Sequence, residues 1–218
     1  MTTATVGVIT PTGPATAAIQ ARLDREIDDL LATLPDPAQL SAEARRGIIA
    51  RYAAVLEGNF IYWMTGAYIA AASDEARAKI IDNLREEVRD CHPGMMRRFA
   101  AAAHAAPTDQ DAEAVSRNLM NVRRFIGRLD AVPTVVTMAF FEGFIQRFMP
   151  YLADLAVRQG SSDLEYTDVH GVCDITHTEE LYRALEAELA LAPPPSPEAM
   201  FEGVGLLRDL ITNIVVTH

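Results

Sequence analysis

Cysteine is scarce in this sequence: Cys91 and Cys173 are the only two among 218 residues. They are far apart and do not form a Cys-x-x-Cys pair, so the sequence offers no disulfide framework. Half of the residues are hydrophobic, and a chain of this length can bury a full core without covalent crosslinks. We therefore expect a single domain with two buried, reduced thiols, as is typical of a cytoplasmic protein.

Long apolar runs are also missing. The longest ones are interrupted by Glu57, Arg77, Glu142 or Arg147, whereas a membrane-spanning helix needs about 20 mostly apolar residues in succession. Residues 1–14 are rich in threonine and lack the basic segment and apolar run of a secretion signal. We expect a cytoplasmic protein with no membrane partner, in which residues 1–14 form a flexible arm.

Basic residues are few: the sequence has 19 Lys and Arg residues against 30 Asp and Glu residues, which gives a formal net charge of −11. Phosphate binding needs clustered basic side chains that nearby acids do not neutralise. The basic pairs at 45–46, 97–98 and 123–124 lie in segments rich in acids. This distribution argues against a nucleic-acid partner.

Strict alternation of apolar and polar residues, the pattern of a strand, is absent, whereas an apolar period of three to four residues recurs throughout. We predict an all-α protein in which residues 15–218 form one domain of about seven helices. Prolines and small polar residues mark the breaks between helices. The pattern predicts an unbroken helix over 41–72 and a capping box of Ser162 and Glu165 before a late helix.

The late helix carries the pattern His-x-x-x-Asp-x-x-His at His170, Asp174 and His177. Separations of four and seven residues place the three side chains on one face of a helix. Leu181 and Leu185 continue this face, so we expect the three residues to point inward. A buried aspartate is costly unless its charge is balanced, and a divalent cation would balance it. The alternative is a hydrogen-bonded His-Asp-His network without a metal.

Three more polar residues occupy positions that suit metal ligands. Glu57 and Glu142 each stand in an apolar, aromatic context followed by glycine, and facing helices that each contribute a glutamate can hold a metal pair. His92 precedes Pro93, and histidine is the commonest metal ligand. The alternative for each of the three is a solvent-exposed position.

Together these features resemble the heme-oxygenase-like diiron oxidases and oxygenases over about residues 50–180. The resemblance rests on the size of the helical domain, the His-x-x-x-Asp-x-x-His pattern, the glutamate in an apolar central helix, and Asn83-x-x-x-Glu87 followed by His92-Pro93. It implies a heme-oxygenase-like helical bundle that binds two irons in place of heme. The implied metal ligands are Glu57, Glu87, His92, Glu142, His170, Asp174 and His177.

One departure concerns the segment between Glu87 and His92, which is shorter here than is common in the family. Glu86 and Asp90 therefore stay as alternatives to Glu87. The four carboxylates of the ligand set would balance two divalent cations, and three neutral imidazoles would complete it. A nitrogen and oxygen set without thiolate favours iron or manganese over structural zinc. Cys173 projects about 100° away from Asp174 on an ideal helix, so we do not count it as a ligand.

The resemblance implies an enzyme that activates O2 at two Fe(II)/Fe(III) ions and oxidises a small organic molecule in a biosynthetic pathway. The substrate classes it suggests are derived from amino acids, amines or fatty acids, and it allows an external electron donor and a homodimer. Arg124 and Arg147 could pair with a substrate carboxylate. The candidate pocket walls, whose spacing also fits plain core, are Tyr62, Trp63, Phe140, Phe144 and Phe148.

Two other readings stay open from the sequence. One is a heme-oxygenase-like enzyme without a diiron site, related to the thiaminase and quinone-cofactor-synthesis branches, whose polar residues bind an organic substrate. The other is a helical protein that binds iron and catalyses no reaction. Metal content separates the first from a diiron enzyme, and oxygen consumption separates the second.

Overall fold

The computed structural model describes residues 13–216. This part of the chain forms eight α-helices and contains no strand, as the apolar periodicity of the sequence indicated. The prediction of an all-α domain of about seven helices is confirmed. The proposed arm at 1–14 falls almost wholly outside the described residues, and Pro14 already begins the first helix. The helices are α1 (Pro14–Ala32), α2 (Ala42–Ala70), α3 (Asp74–Arg89), α4 (His92–Ala102), α5 (Asp109–Ile126), α6 (Ala131–Arg158), α7 (Glu165–Leu189) and α8 (Pro197–Val216).

Side-chain caps fix where several helices begin. The hydroxyls of Ser41 and Ser73 accept hydrogen bonds from backbone N–H groups in the first turns of α2 and α3. The capping box predicted for α7 is wrong. Ser161, not Ser162, accepts a hydrogen bond from the backbone of Asp163. The helix then begins only at Glu165, which is too late for the glutamate to reach back as the third residue of a capping box.

Helix α6 lies at the centre of the bundle and packs against α1, α2, α7 and α8. Its segment from Pro133 to Ile145 is buried without interruption, because apolar side chains surround the helix instead of following one stripe. Four phenylalanines on α6 are buried, and each buried side chain of this size stabilises the fold by about 1.5–3 kcal/mol. Among the described helices, none is long and apolar enough to cross a membrane.

Helix α2 is interrupted in the middle, where the sequence predicted an unbroken helix. Glu57 has a ψ of 97° and Gly58 a φ of 82°. Positive φ suits glycine because it has no Cβ, so Gly58 lets the chain leave the helix for one step and resume it. The interruption changes the rotational phase of α2 between Leu56 and Phe60. This kink decides where Glu57 points.

Candidate metal centre

Helix α7 presents the His-x-x-x-Asp-x-x-His residues to the interior, where it packs against α6 and α3. His170, Asp174 and His177 are 5%, 0% and 2% exposed. Tyr166 and Leu181 extend the same buried line at either end. Their burial follows from spacing alone, since residues four and seven apart share a helix face and the flanking members of that face are apolar or aromatic.

Glu87, His92 and His170 form one group of ligand atoms that lie within 4.8 Å of one another. Nδ1 of His92 lies 2.6 Å from Oε1 of Glu87, and the imidazole rings of His92 and His170 have centroids 4.5 Å apart. Nδ1 of His170 donates a hydrogen bond to the carbonyl oxygen of Tyr166 at 2.8 Å. Because a carbonyl only accepts, this bond places the proton on Nδ1 and leaves Nε2 of His170 available to a metal.

The junction of α3 and α4 brings Glu87 and His92 together. Helix α3 ends at Arg89, Cys91 turns the chain with a φ of 56°, and α4 begins at His92. Pro93 suits the first turn of α4, where a missing N–H costs nothing. The short segment between Glu87 and His92 is therefore long enough to place both side chains in one group.

Asp174 and His177 form a second group, which Glu142 of α6 faces. Nδ1 of His177 lies 3.7 Å from Oε1 of Glu142 and 3.7 Å from Oδ1 of Asp174. Nε2 of His177 lies 3.0 Å from Oε2 of the half-exposed Glu86. Oε1 of Glu142 accepts a hydrogen bond of 2.6 Å from Nδ2 of the buried Asn83. Asn83 thus holds the Glu142 carboxylate toward the group.

The carboxyl groups of Glu142 and Asp174 lie close enough together in the second group to shift the pKa values of their neighbours. Burial raises the pKa of Glu142 well above its ordinary value, and the charge of Asp174 raises it further. Burial would lower the pKa of His177, but its contact with Asp174 and the charge of Glu142 outweigh burial and raise the pKa to about 10. His177 therefore retains its proton at neutral pH, and a bound cation would displace that proton.

Three buried polar atoms in or next to the second group have no hydrogen-bond partner among residues 13–216: Oδ2 of Asp174, Nδ1 of His177 and Oδ1 of Asn83. Unpartnered buried polar atoms are costly, so a native structure normally supplies them with a partner. A carboxylate oxygen and an imidazole nitrogen are ligands that iron accepts. The donor set therefore fits a mixed nitrogen and oxygen metal centre. The predicted ligands of both groups are positioned to hold such a centre together with Glu142.

Two further residues with possible ligand atoms, Glu57 and Cys173, are occupied by other contacts. The kink in α2 turns Glu57 outward, where its side chain is 38% exposed and its carboxylate pairs with Arg97 at 2.6 Å. Cys173 lies within ligand distance of Asp174 and His177, but its Sγ donates a hydrogen bond to Oδ1 of Asp174 and burial raises the pKa of the thiol. Cys91 is exposed and Cys173 is only partly buried, so the expectation of two buried thiols is wrong.

A small cavity of about 30 Å³, partly open to solvent, borders the two groups. The ionisable ligand candidates in its lining are Glu87, His92, Glu142, His170 and Asp174. The rest of the lining is apolar or aromatic and consists of Leu56, Phe60, Ile61, Pro93, Met96, Phe141, Ile145 and Tyr166.

None of the five side chains predicted from the sequence as pocket walls lines this cavity. Tyr62 is 47% exposed, and Trp63 and Phe140 are packed in the core. Phe144 and Phe148 border a separate, apolar cavity next to α8. Helical spacing identified buried aromatic residues but could not assign them to a particular space, because that depends on how the helices rotate against one another.

Sequence reasoning missed the supporting roles of Asn83, Tyr52 and Tyr166. The hydroxyls of Tyr52 and Tyr166 lie 3.1 Å apart, and the ring of Tyr166 lies 4.1 Å from that of His170. Tyr166 stands four residues before His170, so the helical spacing that identified the histidine also pointed to the tyrosine. No comparable local signal links Tyr52 to the site, since it comes from α2.

Comparison with known proteins adds one match. The model of a family described as "Iron-containing redox enzyme" matches residues 49–210, which is about three quarters of the chain and covers both groups of ligand atoms. No curated protein and no solved structure matches the chain.

Proposed function

The chain belongs to the family of iron-containing redox enzymes of the heme-oxygenase-like type, and from this premise we propose that it is a non-heme diiron oxidoreductase that uses O2 to oxidise a small organic molecule. The observation that carries the proposal is the pair of buried groups of imidazole and carboxylate, with Glu142 beside them, at the edge of one cavity. The ligand atoms form two separate groups instead of one, which favours a metal pair over a single ion.

We assign one iron to Glu87, His92 and His170 and the other to Asp174 and His177. Glu142, which projects from α6 toward α7, would be a further ligand. The iron ions would supply one-electron redox chemistry and a place for dioxygen to bind. The protein contributes the positions of the ligands. The carbonyl of Tyr166 orients His170, and Asn83 orients Glu142, since groups that hydrogen-bond to metal ligands fix their direction and basicity.

The apolar part of the cavity lining has two further roles in this proposal. It excludes water from the reacting region, which strengthens every electrostatic interaction there and limits side reactions. It also binds the substrate, which we place among small molecules of a biosynthetic pathway. An external donor would return electrons to the centre after each turnover.

The proposal predicts that protein loaded anaerobically with ferrous iron consumes O2 in proportion to the iron it binds, and that consumption rises when the substrate is present. An oxygen electrode measures both rates. Protein loaded with zinc is the matched control, because zinc binds similar ligands but has no redox chemistry. Iron that binds specifically but stays ferrous in air would exclude the oxygenase proposal and would instead support a protein that binds iron without catalysis.

A further inference from the structure

A second and much larger cavity, of about 410 Å³, lies where the first turns of α2 and α5 meet the end of α8. This volume is within the range of roughly 300–1,000 Å³ that is typical of small-molecule sites. Among the described residues, none that lines it also lines the cavity at the metal centre. It is therefore a separate space with room for a small organic ligand, and we call it the Arg51 cavity after the buried arginine in its lining.

Arg51 is only 8% exposed and has one hydrogen-bond partner among residues 13–216. Its Nε donates to the carbonyl oxygen of Ile214 at 2.7 Å, which ties α2 to α8. Nη1 and Nη2 have no hydrogen-bond partner in that part of the chain, and Arg51 forms no ion pair there. An arginine side chain keeps its positive charge in proteins. The lining of the cavity thus contains a buried cation with two donor groups still available.

Gly47 makes room for this guanidinium group. It precedes Arg51 by one helical turn and lines the same cavity, and a Cβ atom at Gly47 would lie 2.8 Å from Nη1 of Arg51. Glycine within a helix is less favourable than alanine, so its presence here is explained by the space that Nη1 occupies. The contact places Nη1 of Arg51 directly against another lining residue of the cavity.

The other arginine in the lining, Arg46, already has a counter-ion. Its Nη2 and Nη1 donate to the two carboxylate oxygens of Asp111 at 2.9 and 3.3 Å, and Asp111 also accepts hydrogen bonds from Thr108. Burial would raise the pKa of Asp111, but the contacts with Arg46 and Thr108 outweigh it and lower the pKa. Asp111 is therefore ionised and engaged, and it accepts no hydrogen bond from Arg51.

We propose that the Arg51 cavity binds a small organic molecule through one carboxylate group, which accepts hydrogen bonds from Nη1 and Nη2 of Arg51. The planar guanidinium fork matches the two oxygens of a carboxylate, and such charge-assisted pairs are strong. A buried charge without a counter-ion is costly, and the ligand supplies that counter-ion. The site is independent of the metal centre and of the proposed oxidation.

The charges around Arg51 favour a single carboxylate over a phosphate group. Since Arg46 is balanced by Asp111, one guanidinium is left for a ligand, and the exposed Glu43 adds a negative charge to the lining. A phosphate dianion would bring two negative charges to one available positive charge. Apolar residues of the lining can cover the body of the ligand: Leu40, Ala44, Ala114 and Val215.

Isothermal titration calorimetry of the anaerobic, iron-loaded protein tests the proposal with benzoate, benzamide and phosphate as probes. Benzoate is expected to bind saturably, and benzamide about tenfold or more weaker, because it has a similar shape but no negative charge. Phosphate is expected to bind more weakly than benzoate. Equal affinity for benzoate and benzamide, or no saturable binding of benzoate, would overturn the proposal. Tighter binding of phosphate would overturn the choice of a carboxylate.

A matched pair of variants tests the location. Arg51→Gln is expected to weaken benzoate binding about tenfold or more, because it removes the charge and the guanidinium fork. Arg117→Gln makes the same change of charge at an exposed position of α5 outside the lining and is expected to bind as the parent does. Circular dichroism confirms that both variants are folded. Equal affinity in the two variants would place the benzoate site elsewhere.

Two further variants keep the test decisive if Arg51→Gln fails to fold. Gly47→Ala favours the helix but places a Cβ where Nη1 of Arg51 lies, so we expect benzoate to bind about threefold or more weakly. Glu43→Gln removes a negative charge from the lining and is expected to tighten benzoate binding about two- to threefold. Benzoate affinity that is unchanged in both variants would contradict the proposal.

Binding of benzoate to iron is distinguished by His170→Ala, which removes a predicted metal ligand. Because the described lining residues of the two cavities do not overlap, this variant is expected to bind benzoate as the parent does. Loss of benzoate binding in His170→Ala, together with its retention in Arg51→Gln, would assign the binding to the metal centre and overturn the proposal. The proposed diiron function can fail without affecting this result, since the Arg51 cavity contains none of the predicted metal ligands.

Discussion

His170→Ala and His177→Ala are each expected to abolish specific binding of ferrous iron while the helical circular dichroism signal is kept. Each substitution removes an imidazole from a different group, since His170 lies with Glu87 and His92 while His177 lies with Asp174. Removal of a group that merely supports a metal ligand costs about 10- to 100-fold in affinity, so removal of a ligand itself should weaken iron binding by about 100-fold or more.

Iron bound per chain after anaerobic loading and desalting measures this effect. His104→Asn is the matched control, because His104 is exposed just beyond the end of α4 and has a φ of 52°, a backbone conformation that asparagine tolerates. This control is expected to bind as much iron as the parent protein. Full iron content in either the His170 or the His177 variant would defeat the assignment of that histidine as a ligand.

Glu142→Ala is expected to eliminate iron-dependent O2 consumption, and Glu142→Gln to reduce it by about 100-fold or more. Glu142 is 2% exposed and is the one carboxylate that the central helix α6 contributes to the cavity. Glutamine keeps the size of the side chain and can still accept a hydrogen bond from Asn83, so it removes only the negative charge that a cation requires. The two variants together separate the charge from the packing.

Glu57→Gln is the matched control for this pair, because the carboxylate of Glu57 is partly exposed and pairs with Arg97. O2 consumption close to that of the parent is expected for Glu57→Gln. A loss as large as that of Glu142→Gln would mean that Glu57 turns inward and binds iron, as the family resemblance suggested. Unchanged consumption in Glu142→Gln would show that Glu142 is structural.

Those parts of the structure that depend on local spacing could be predicted from the sequence. The helix-forming period and the proline breaks predicted the all-α fold, because both act within a few residues. The burial of His170, Asp174 and His177 on one face follows from helical pitch. The resemblance to the heme-oxygenase-like superfamily was also confirmed, by the family match over residues 49–210.

Features that depend on tertiary packing could not be predicted in this way. The kink at Gly58 changes the phase of α2, so a helical reading of Leu56 to Phe60 could not show that Glu57 points outward. The left-handed turn at Cys91, which brings His92 to Glu87, could likewise not be predicted from the spacing of apolar residues. Which aromatic side chains border the cavity depends on helix rotation, which the sequence pattern does not specify.

The central claim is that the two groups of side chains hold a pair of iron ions, and an anaerobic titration with ferrous iron tests it most directly. The titration is followed by the iron retained per chain and by the Mössbauer spectrum of the loaded protein. The account predicts saturation at about two irons per chain, as in helix bundles that hold metal pairs with facing carboxylates and histidines. Saturation at one iron, or no specific uptake, would contradict it.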